Sequence, residues 1–403
     1  MTALERRLTW RYILIHAIFW ALYGTCWGFL AVILSYVGLN NTQSGIVLCL
    51  GLLASAVAQP ALSSLVDRSD KLTSRKVSIA LMVATAVTGV LLWFFQSSPA
   101  VFAVLYVILG ISVITINPFL NSMCMELVRR GININFGLSR GIGSLTYAAT
   151  ALLLGGLIER FSPSFTLLLT AALALGVALA ILWFHPGNAE LPPEPPAREK
   201  PVTLSTVAFL KANPKFLVIM VGCAMLMGAH CFLNSYMNLV VERVGGAESS
   251  MGITLGLSAA TEMPAMLLFM YLRRKGVSSS ALFRFCSIFF ILKPLAALAA
   301  TSVTTVYLGQ MLQFLSSGLY LPLVPYFVND TVDSANQVKG QALVSAAGTG
   351  IGAALASLFG AAICDLLGVE GGILFAAGVA AVGVLCVFSA TTGRSKSARL
   401  ARS

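Results

Sequence analysis

Charge is scarce in this chain. Only 10% of its 403 residues are Asp, Glu, Lys or Arg, against roughly a quarter in a soluble globular protein. A water-solvated surface of ordinary extent cannot be assembled from so few. Acids are scarcer still, 15 against 26 basic residues, and histidine occurs three times. No CxxC, HExxH or P-loop pattern is present, which removes the common signatures of metal sites and nucleotide hydrolysis. The eight cysteines (Cys26, Cys49, Cys124, Cys223, Cys231, Cys286, Cys364, Cys386) lie in or at the ends of apolar runs and read as small buried hydrophobes, not as disulfide or metal partners. No enzyme, cofactor or metal centre is expected.

Apolar length is what the chain has in abundance, with 58% hydrophobic residues and a mean hydropathy of +0.87. Stretches of about 20 apolar residues cross a bilayer as helices, and in lipid only helices or closed barrels satisfy their own backbone groups. The runs are continuous and do not alternate in ten-residue units, so barrel strands are excluded. The run from Tyr12 to Val37 is too long for a signal peptide and lacks its cleavage pattern, so it is read as a retained first span. Twelve spans are predicted, at 11–37, 44–64, 77–96, 100–122, 137–158, 164–185, 215–241, 250–272, 280–300, 303–328, 340–364 and 370–391.

With both ends on one side, 22 of the 26 basic residues fall on that side. Arg160 and Arg243 fall on the other, and Arg140 and Lys293 inside spans. Cytoplasmic loops collect Lys and Arg, so a multi-pass protein of the cell membrane with both termini in the cytoplasm is expected. The formal charge of +11 is then a topology signal; no basic patch interleaved with aromatics points to nucleic acid.

The longest predicted cytoplasmic segment, 186–213, contains LPPEPPAREKP, whose prolines prevent a helix and stiffen a linker. It divides the chain into residues 1–185 and 214–403, six spans each, the second half carrying a basic tail. The halves echo one another in FGLSRGIGSLTYAATALLLGGLIE (136–159) and KGQALVSAAGTGIGAALASLFGAAICD (339–365), both rich in the small residues that let membrane helices approach closely. Duplicated halves of this kind mark secondary transporters, with solute bound near the midplane.

This pattern resembles the major facilitator superfamily over essentially the whole chain. SSLVDRSDKLTSRK keeps Asp67, Arg68, Arg75 and Lys76 of the superfamily's G-x-x-x-D-R-x-G-R-K-type cytoplasmic gate motif. It departs at Ser63, which stands at the first Gly, and by a few inserted residues. The closer likeness is to the lactose permease-like branch, with its phenylpropionate permease-type and nucleoside symporter-type relatives. TQSGIVLCLGLLASAVAQPALSSLVDR resembles that branch's second span and ELVRRGININFGLSRGIGS its loop and fifth span. The resemblance implies an all-α fold of two pseudo-symmetric six-helix bundles. It places the branch's substrate-binding Arg at Arg140 and its stacking aromatic at Tyr147. TEMPAM resembles the eighth-span acidic motif, putting a coupling carboxylate at Glu262, and a ninth-span Arg maps onto Lys293. Other positions differ: Ser122, Gln313, Ser316, Cys231 and Asn234 stand where the permease carries acids or histidine. Lactose-type recognition is therefore not expected, and any coupling must be built differently.

Glu262, in LGLSAATEMPAMLLFM, is the one carboxylate in the interior of a predicted span, Glu370 standing at the very start of the last. An ionised group at bilayer depth is costly and usually functional. It reads either as a static ion pair with Lys293 or Arg140, or as a carboxyl that takes up and releases a proton as access alternates. Burial and a neighbouring cation act on a carboxyl's proton affinity in opposite directions, so moving the cation would link protonation to conformation. Arg140 offers five donors in a planar fork, or is fastened to nearby carbonyls. Tyr147, two turns along the same face, is a stacking surface or packing. His230 is a proton carrier or simply hydrogen-bonded, with Asn234 a turn later. Asn117 and Asn121 in span four, Tyr23 and Trp27 in span one, and Gln310, Gln313 and Tyr320 in span ten are further candidates to line the cavity.

The expectation is a monomeric proton-coupled symporter importing a sugar, nucleoside or small organic acid. The intramembrane charges favour an anion or neutral solute over a cation. The alternative is a proton-antiporting exporter, whose usual Gly-Pro motif is missing because span five has no proline.

Overall fold

The computed structural model describes residues 2–69, 71–185, 205–333 and 336–392, and among them every regular element is a helix. In chain order these are α1 (Ala3–Tyr23), α2 (Leu30–Tyr36), α3 (Asn41–Arg68), α4 (Ser74–Phe94), α5 (Pro99–Arg129), α6 (Phe136–Phe161) and α7 (Phe165–Trp183). They continue with α8 (Thr206–Ala212), α9 (Pro214–Ser235), α10 (Met237–Arg243), α11 (Glu248–Ala260), α12 (Glu262–Arg274) and α13 (Ser279–Leu298). The last are α14 (Val303–Gln310), α15 (Ser317–Thr331), α16 (Gln337–Ser345) and α17 (Ala353–Thr391).

Local sequence explains where many of them begin. Asn40 and Gln43 form a reciprocal capping box at α3, as Ser302 and Thr305 do at α14, while Thr73 and Ser278 cap α4 and α13. Each cap satisfies backbone N–H groups that a helix leaves unpaired. Side chains such as Phe94, Leu153, Leu179, Leu308 and Leu385 stand out from the packed interior with most of their surface exposed. In lipid that costs nothing, and it is the surface that a membrane-embedded helix presents.

Among the described residues, ten helical segments are long and apolar enough to cross a bilayer, or eleven when the bent pair Ala3–Gly28 and Leu30–Tyr36 counts as one. Predicted spans two to ten each match one segment or broken pair. The last two fall together in one stretch of 53 residues, Lys339–Thr391, interrupted at Gly368 with φ 75° and ψ 178°.

Several helices are broken inside a span, and the causes are local. Gly24–Gly28 forms a π turn after α1, and its Cys26 carbonyl accepts from the buried Tyr106 hydroxyl of α5. Tyr236, at φ −110° and ψ 25°, separates α9 from α10. Thr261 separates α11 from α12; Pro264, lacking an N–H, leaves the Ala260 carbonyl without its helical partner.

Prolines account for one difference from the sequence reading. The cluster at 192–196 lies outside the described residues. Between Pro201 and Pro214, however, Ser205 caps the short helix α8, and Phe209 is buried with its ring 5.1 Å from that of Phe216. The segment predicted as linker therefore ends in a helix docked on α9.

The chain divides into two compact units, one drawn from residues 1–198 and 237–260, the other from 199–236 and 261–403. In the first, α1 packs on α6 and α7, α5 on α3 and α4, and α11 on α6. In the second, α9 and α13 pack on α17, and α15 on α12 and α13.

Candidate functional site

The first unit carries an aromatic and cationic cluster. Trp20, Tyr23 and Trp27 recur along α1 and its π turn at helical spacing. Ring centroids lie 5.3 Å apart for Trp20–Tyr23 and 6.2 Å for Tyr23–Trp27, and Tyr147 of α6 is 6.4 Å from both Trp20 and Tyr23. All four rings are only partly buried. The Arg140 guanidinium sits 4.1 Å over the Trp20 ring, and its Nη1 lies 3.4 Å from the Ser144 hydroxyl.

Glycines make room for these rings. A Cβ on Gly143 would stand 2.3 Å from Trp20 Cδ1, and one on Gly110 2.9 Å from Trp27 Cζ3. Gly143→Ala is accordingly expected to cost about 1–3 kcal/mol as an overpacked core substitution. It would be read as a lowered Tm of the purified protein, with partial recovery when Trp20→Leu is added. Equal Tm values for Gly143→Ala and the native protein would contradict this close fit.

Asn117 and Asn121 are half-buried on α5, and the Asn121 side-chain oxygen is buried with no hydrogen-bond partner among the described residues. His16, fully buried, packs its ring edgewise against Tyr12 at 4.7 Å, one turn before Trp20.

The second unit carries the polar chain around Lys293. This lysine is 3% exposed, and its ammonium donates to Asn234 Oδ1 at 2.9 Å and Gln313 Oε1 at 2.6 Å. Asn234 Nδ2 lies 3.1 Å from His230 Nε2. Because the Asn234 oxygen accepts from the ammonium, its amide must turn its N–H₂ toward His230 and donate. Nε2 then accepts, and the imidazole is neutral with its proton on Nδ1. That buried Nδ1 has no partner among the described residues, and the ring stands edgewise to Phe290 at 6.1 Å.

Burying an ammonium is costly unless its donors are met. Here two neutral amides meet two of its three N–H donors at close range. Glu262, the first residue of α12, lies within electrostatic range of Lys293. Ser316 is fully buried and donates to the Leu312 carbonyl at 3.0 Å.

Of the gate-motif residues, Arg75 donates to the Leu182 carbonyl at 2.6 Å and Lys76 to the Lys71 carbonyl at 2.7 Å. Both interactions fasten backbone ends within the first unit. Arg68 is exposed at the end of α3, and the side chain of Asp67 lies outside the described atoms.

The structure thus groups Lys293, Asn234, Gln313 and His230 by hydrogen bonds, with Glu262 nearby, and separately groups Arg140, Tyr147 and Tyr23. Trp20 was missed in the sequence. Its signal was present in the W-x-x-Y-x-x-x-W spacing, which puts three large aromatics on one face of the first span.

Buried polar clusters on broken membrane helices are the features a transporter uses to bind solute near the midplane, and similarity to known proteins decides the class. The family profile described as MFS_1 like family matches residues 9–372, and the chain belongs to that family. It is 26% identical over 350 residues to the maltose permease of Geobacillus stearothermophilus, covering 86% of this chain and 85% of the relative. It is 23% identical over 344 residues to the uncharacterized transporter YwbF of Bacillus subtilis (strain 168), covering 82% and 80%. Among solved structures, the nucleoside transporter NupG superposes with a TM-score of 0.79 at 15% identity, over 96% of this chain and 100% of that one. A bacterial homologue of the lysosomal transporter Spinster, inward-facing and unoccupied, gives 0.71 at 14%, over 97% and 98%. These structural likenesses establish the fold. The chain is a membrane transporter of small molecules and not an enzyme.

Proposed function

We propose that this transporter is a proton-coupled symporter that takes up a small polar organic solute, in the sugar, nucleoside or organic-acid range, by alternating access. The observation that carries the reading is Lys293, an ammonium buried in a span, held by two neutral amides, with a carboxyl within electrostatic range. Such a group is expensive to maintain in a membrane unless it works. A proton on Glu262 would change the field at Lys293, so occupancy of the acid and the arrangement of the polar chain become linked equilibria. In the first unit Arg140, Tyr147, Tyr23, Asn117 and Asn121 are assigned to solute binding, and in the second Asn234 and Gln313. His230 extends the proton-coupling set of Glu262 and Lys293. The relative named maltose permease and the neighbour named nucleoside transporter support a polar, ring-bearing solute.

The reading includes twelve crossings in two bundles, 1–185 and 214–403, in a monomer of the plasma membrane. Fifty-three residues of helix would extend about 80 Å, more than twice the roughly 30 Å bilayer core. The break at Gly368 then divides Lys339–Thr391 into two spans. The distribution of basic residues supports a cytoplasmic position for both termini and for the gate motif of Asp67, Arg68, Arg75 and Lys76.

The test is uptake into sodium-free proteoliposomes under an imposed proton gradient, with maltose, uridine and phenylpropionate as probes and a trapped pH dye as second readout. Gradient-dependent accumulation of a probe, with matching proton entry, is the expected result. Equal uptake with and without the gradient, for a probe the protein transports, would overturn proton symport.

A further inference from the structure

Two arginines from different helices hold the end of α7. Arg11, on α1, donates through Nη1 to the His185 carbonyl at 2.9 Å, and Arg75, in the first turn of α4, donates through Nη2 to the Leu182 carbonyl at 2.6 Å. Both α1 and α4 pack on α7, so the two guanidinium groups converge on its last turn. A helix C-terminus carries partial negative charge and attracts cations, which accounts for one bond from each arginine. It leaves the other donors unexplained. The Nε–H of Arg11 and that of Arg75 are both buried with no hydrogen-bond partner among the described residues. A guanidinium presents five donors in a fixed plane, and a buried donor left unmet is costly. Glu5, the acid closest to Arg11 along α1, is committed elsewhere, since its carboxylate accepts from the Thr2 N–H at 2.6 Å and the Asn133 N–H at 2.9 Å. Arg7, within electrostatic range of Arg11, adds further positive charge.

The surface beside these donors is graded in polarity. Trp10 and Leu14 are exposed one turn apart on α1, and Leu179 and Trp183 are exposed one turn apart on α7. Both indoles flank Arg11: Trp10 precedes it in the chain, and its guanidinium lies 4.4 Å from the Trp183 ring centroid. Trp10 is 63% exposed and Trp183 53%, an extent of bare indole that suits the headgroup level of a bilayer, where tryptophan collects. The leucines stand one turn deeper, and an arginine between the two levels keeps its stem among apolar groups with its charge at the interface. Cation, indole and leucine thus follow one another along two neighbouring helices, in the order of a lipid's charged headgroup, glycerol backbone and acyl chain.

We propose that the last turn of α7, clasped by Arg11 and Arg75, is a binding site for an anionic phospholipid, whose phosphate oxygens accept from the two Nε–H groups and whose chains lie along Trp10, Leu14, Leu179 and Trp183. Guanidinium groups match phosphate oxygens in geometry as well as charge, and basic pockets between membrane helices are where phosphorylated headgroups are held. A zwitterionic lipid brings its own cation to the same place and is bound less well. A free phosphate has no use for the indoles and leucines. The site shares no residue with the clusters around Arg140 and Lys293, and it stands whether or not transport is coupled to protons. Under the proposed topology it lies in the cytoplasmic leaflet.

The experiment is a lipid titration of the full chain in detergent, read by native mass spectrometry, with dioleoylphosphatidylglycerol, dioleoylphosphatidylcholine and glycerol 1-phosphate as probes. The first phosphatidylglycerol is expected to bind at least tenfold more tightly than phosphatidylcholine, and an equal concentration of glycerol 1-phosphate to displace none of it. Arg11→Gln combined with Arg75→Gln is expected to weaken phosphatidylglycerol binding by roughly tenfold or more, the effect of two cations on an anionic headgroup, and to leave phosphatidylcholine binding unchanged. Arg274→Gln combined with Lys275→Gln removes the same charge from exposed positions at the end of α12 and is expected to leave both affinities as they were. Equal affinity of the parent for the two lipids would overturn the site. Equal losses in the two paired variants would overturn it in favour of general surface charge, and displacement by glycerol 1-phosphate would assign it to a soluble phosphate. Should the arginine pair fail to fold, tryptophan quenching by lipids brominated on their acyl chains tests the site with both arginines in place. In vesicles of one fixed composition, brominated phosphatidylglycerol is expected to quench the parent more than brominated phosphatidylcholine does, and Trp10→Phe with Trp183→Phe to remove that excess. Equal quenching of the parent by the two lipids, or an excess that survives the double substitution, would overturn the proposal.

Discussion

Glu262→Gln is expected to transport but not to concentrate. In an uptake assay of a neutral solute with an imposed potential of about 100 mV, one co-transported proton supplies about 2.3 kcal/mol, which is roughly a 50-fold concentration ratio. The native protein should approach that ratio. The glutamine variant should stop near equal concentrations inside and out, while exchanging labelled for unlabelled solute at a comparable rate. The reason is stoichiometric. Gln keeps the size and hydrogen-bonding capacity of the side chain but cannot take up and release the proton, so the solute cycle runs without its driving ion. The measurement is steady-state accumulation against exchange in the same vesicles. Retained 50-fold accumulation by Glu262→Gln would remove the carboxyl from the coupling path, and loss of both activities would recast it as a solute ligand alone.

The second large effect concerns how Lys293 is held. Gln313→Leu removes the acceptor 2.6 Å from the ammonium and leaves the buried charge on Asn234 Oδ1. A hydrogen bond to a charged group contributes about 1.5–3 kcal/mol, and stranding the charge adds its desolvation penalty. A loss of about 3 kcal/mol in stability is therefore expected, read as a substantially lowered Tm in detergent. Lys293→Met removes the charge itself, and a well-packed apolar side chain of similar length costs the fold much less. The double variant should accordingly be more stable than Gln313→Leu alone, a coupling that a double-mutant cycle isolates. Additive losses would mean that Gln313 supports the helix packing and not the ammonium. On the functional side, Lys293→Met should lose gradient-driven accumulation as Glu262→Gln does, since Glu262 then has lost its neighbouring cation.

These predictions differ in how much of their basis could be read from the chain. The acid at 262 was conspicuous because carboxylates are almost absent from the apolar runs, and composition is visible without any fold. Lys293 was conspicuous for the same reason. That Gln313 and Asn234 hold it was not legible, since the three lie 20 and 59 positions apart and neutral amides are common. Tyr147 and Arg140 were found through resemblance to a family motif, whereas Trp20, on which the Arg140 guanidinium rests, belongs to no motif. Its role depends on Gly143, an unremarkable glycine until the indole is seen against it. The short helix Thr206–Ala212 within the predicted linker went unread because the prolines that forbid a helix stop at Pro201, and a Ser cap with a buried Phe then decides the local structure.

What the sequence determined by itself was the solvent and the secondary structure. Continuous apolar runs admit only lipid and helices, and caps, prolines and glycines mark where those helices start and break. Tertiary structure alone decided which groups keep company: the amides around one ammonium, the arginine on one indole, and α11 laid on α6 where Gly155, Gly252 and Gly256 let the two backbones approach. Helical periodicity specifies a face but not the partner that covers it, and with lipid as apolar as leucine, close backbone fit and hydrogen bonding make that choice.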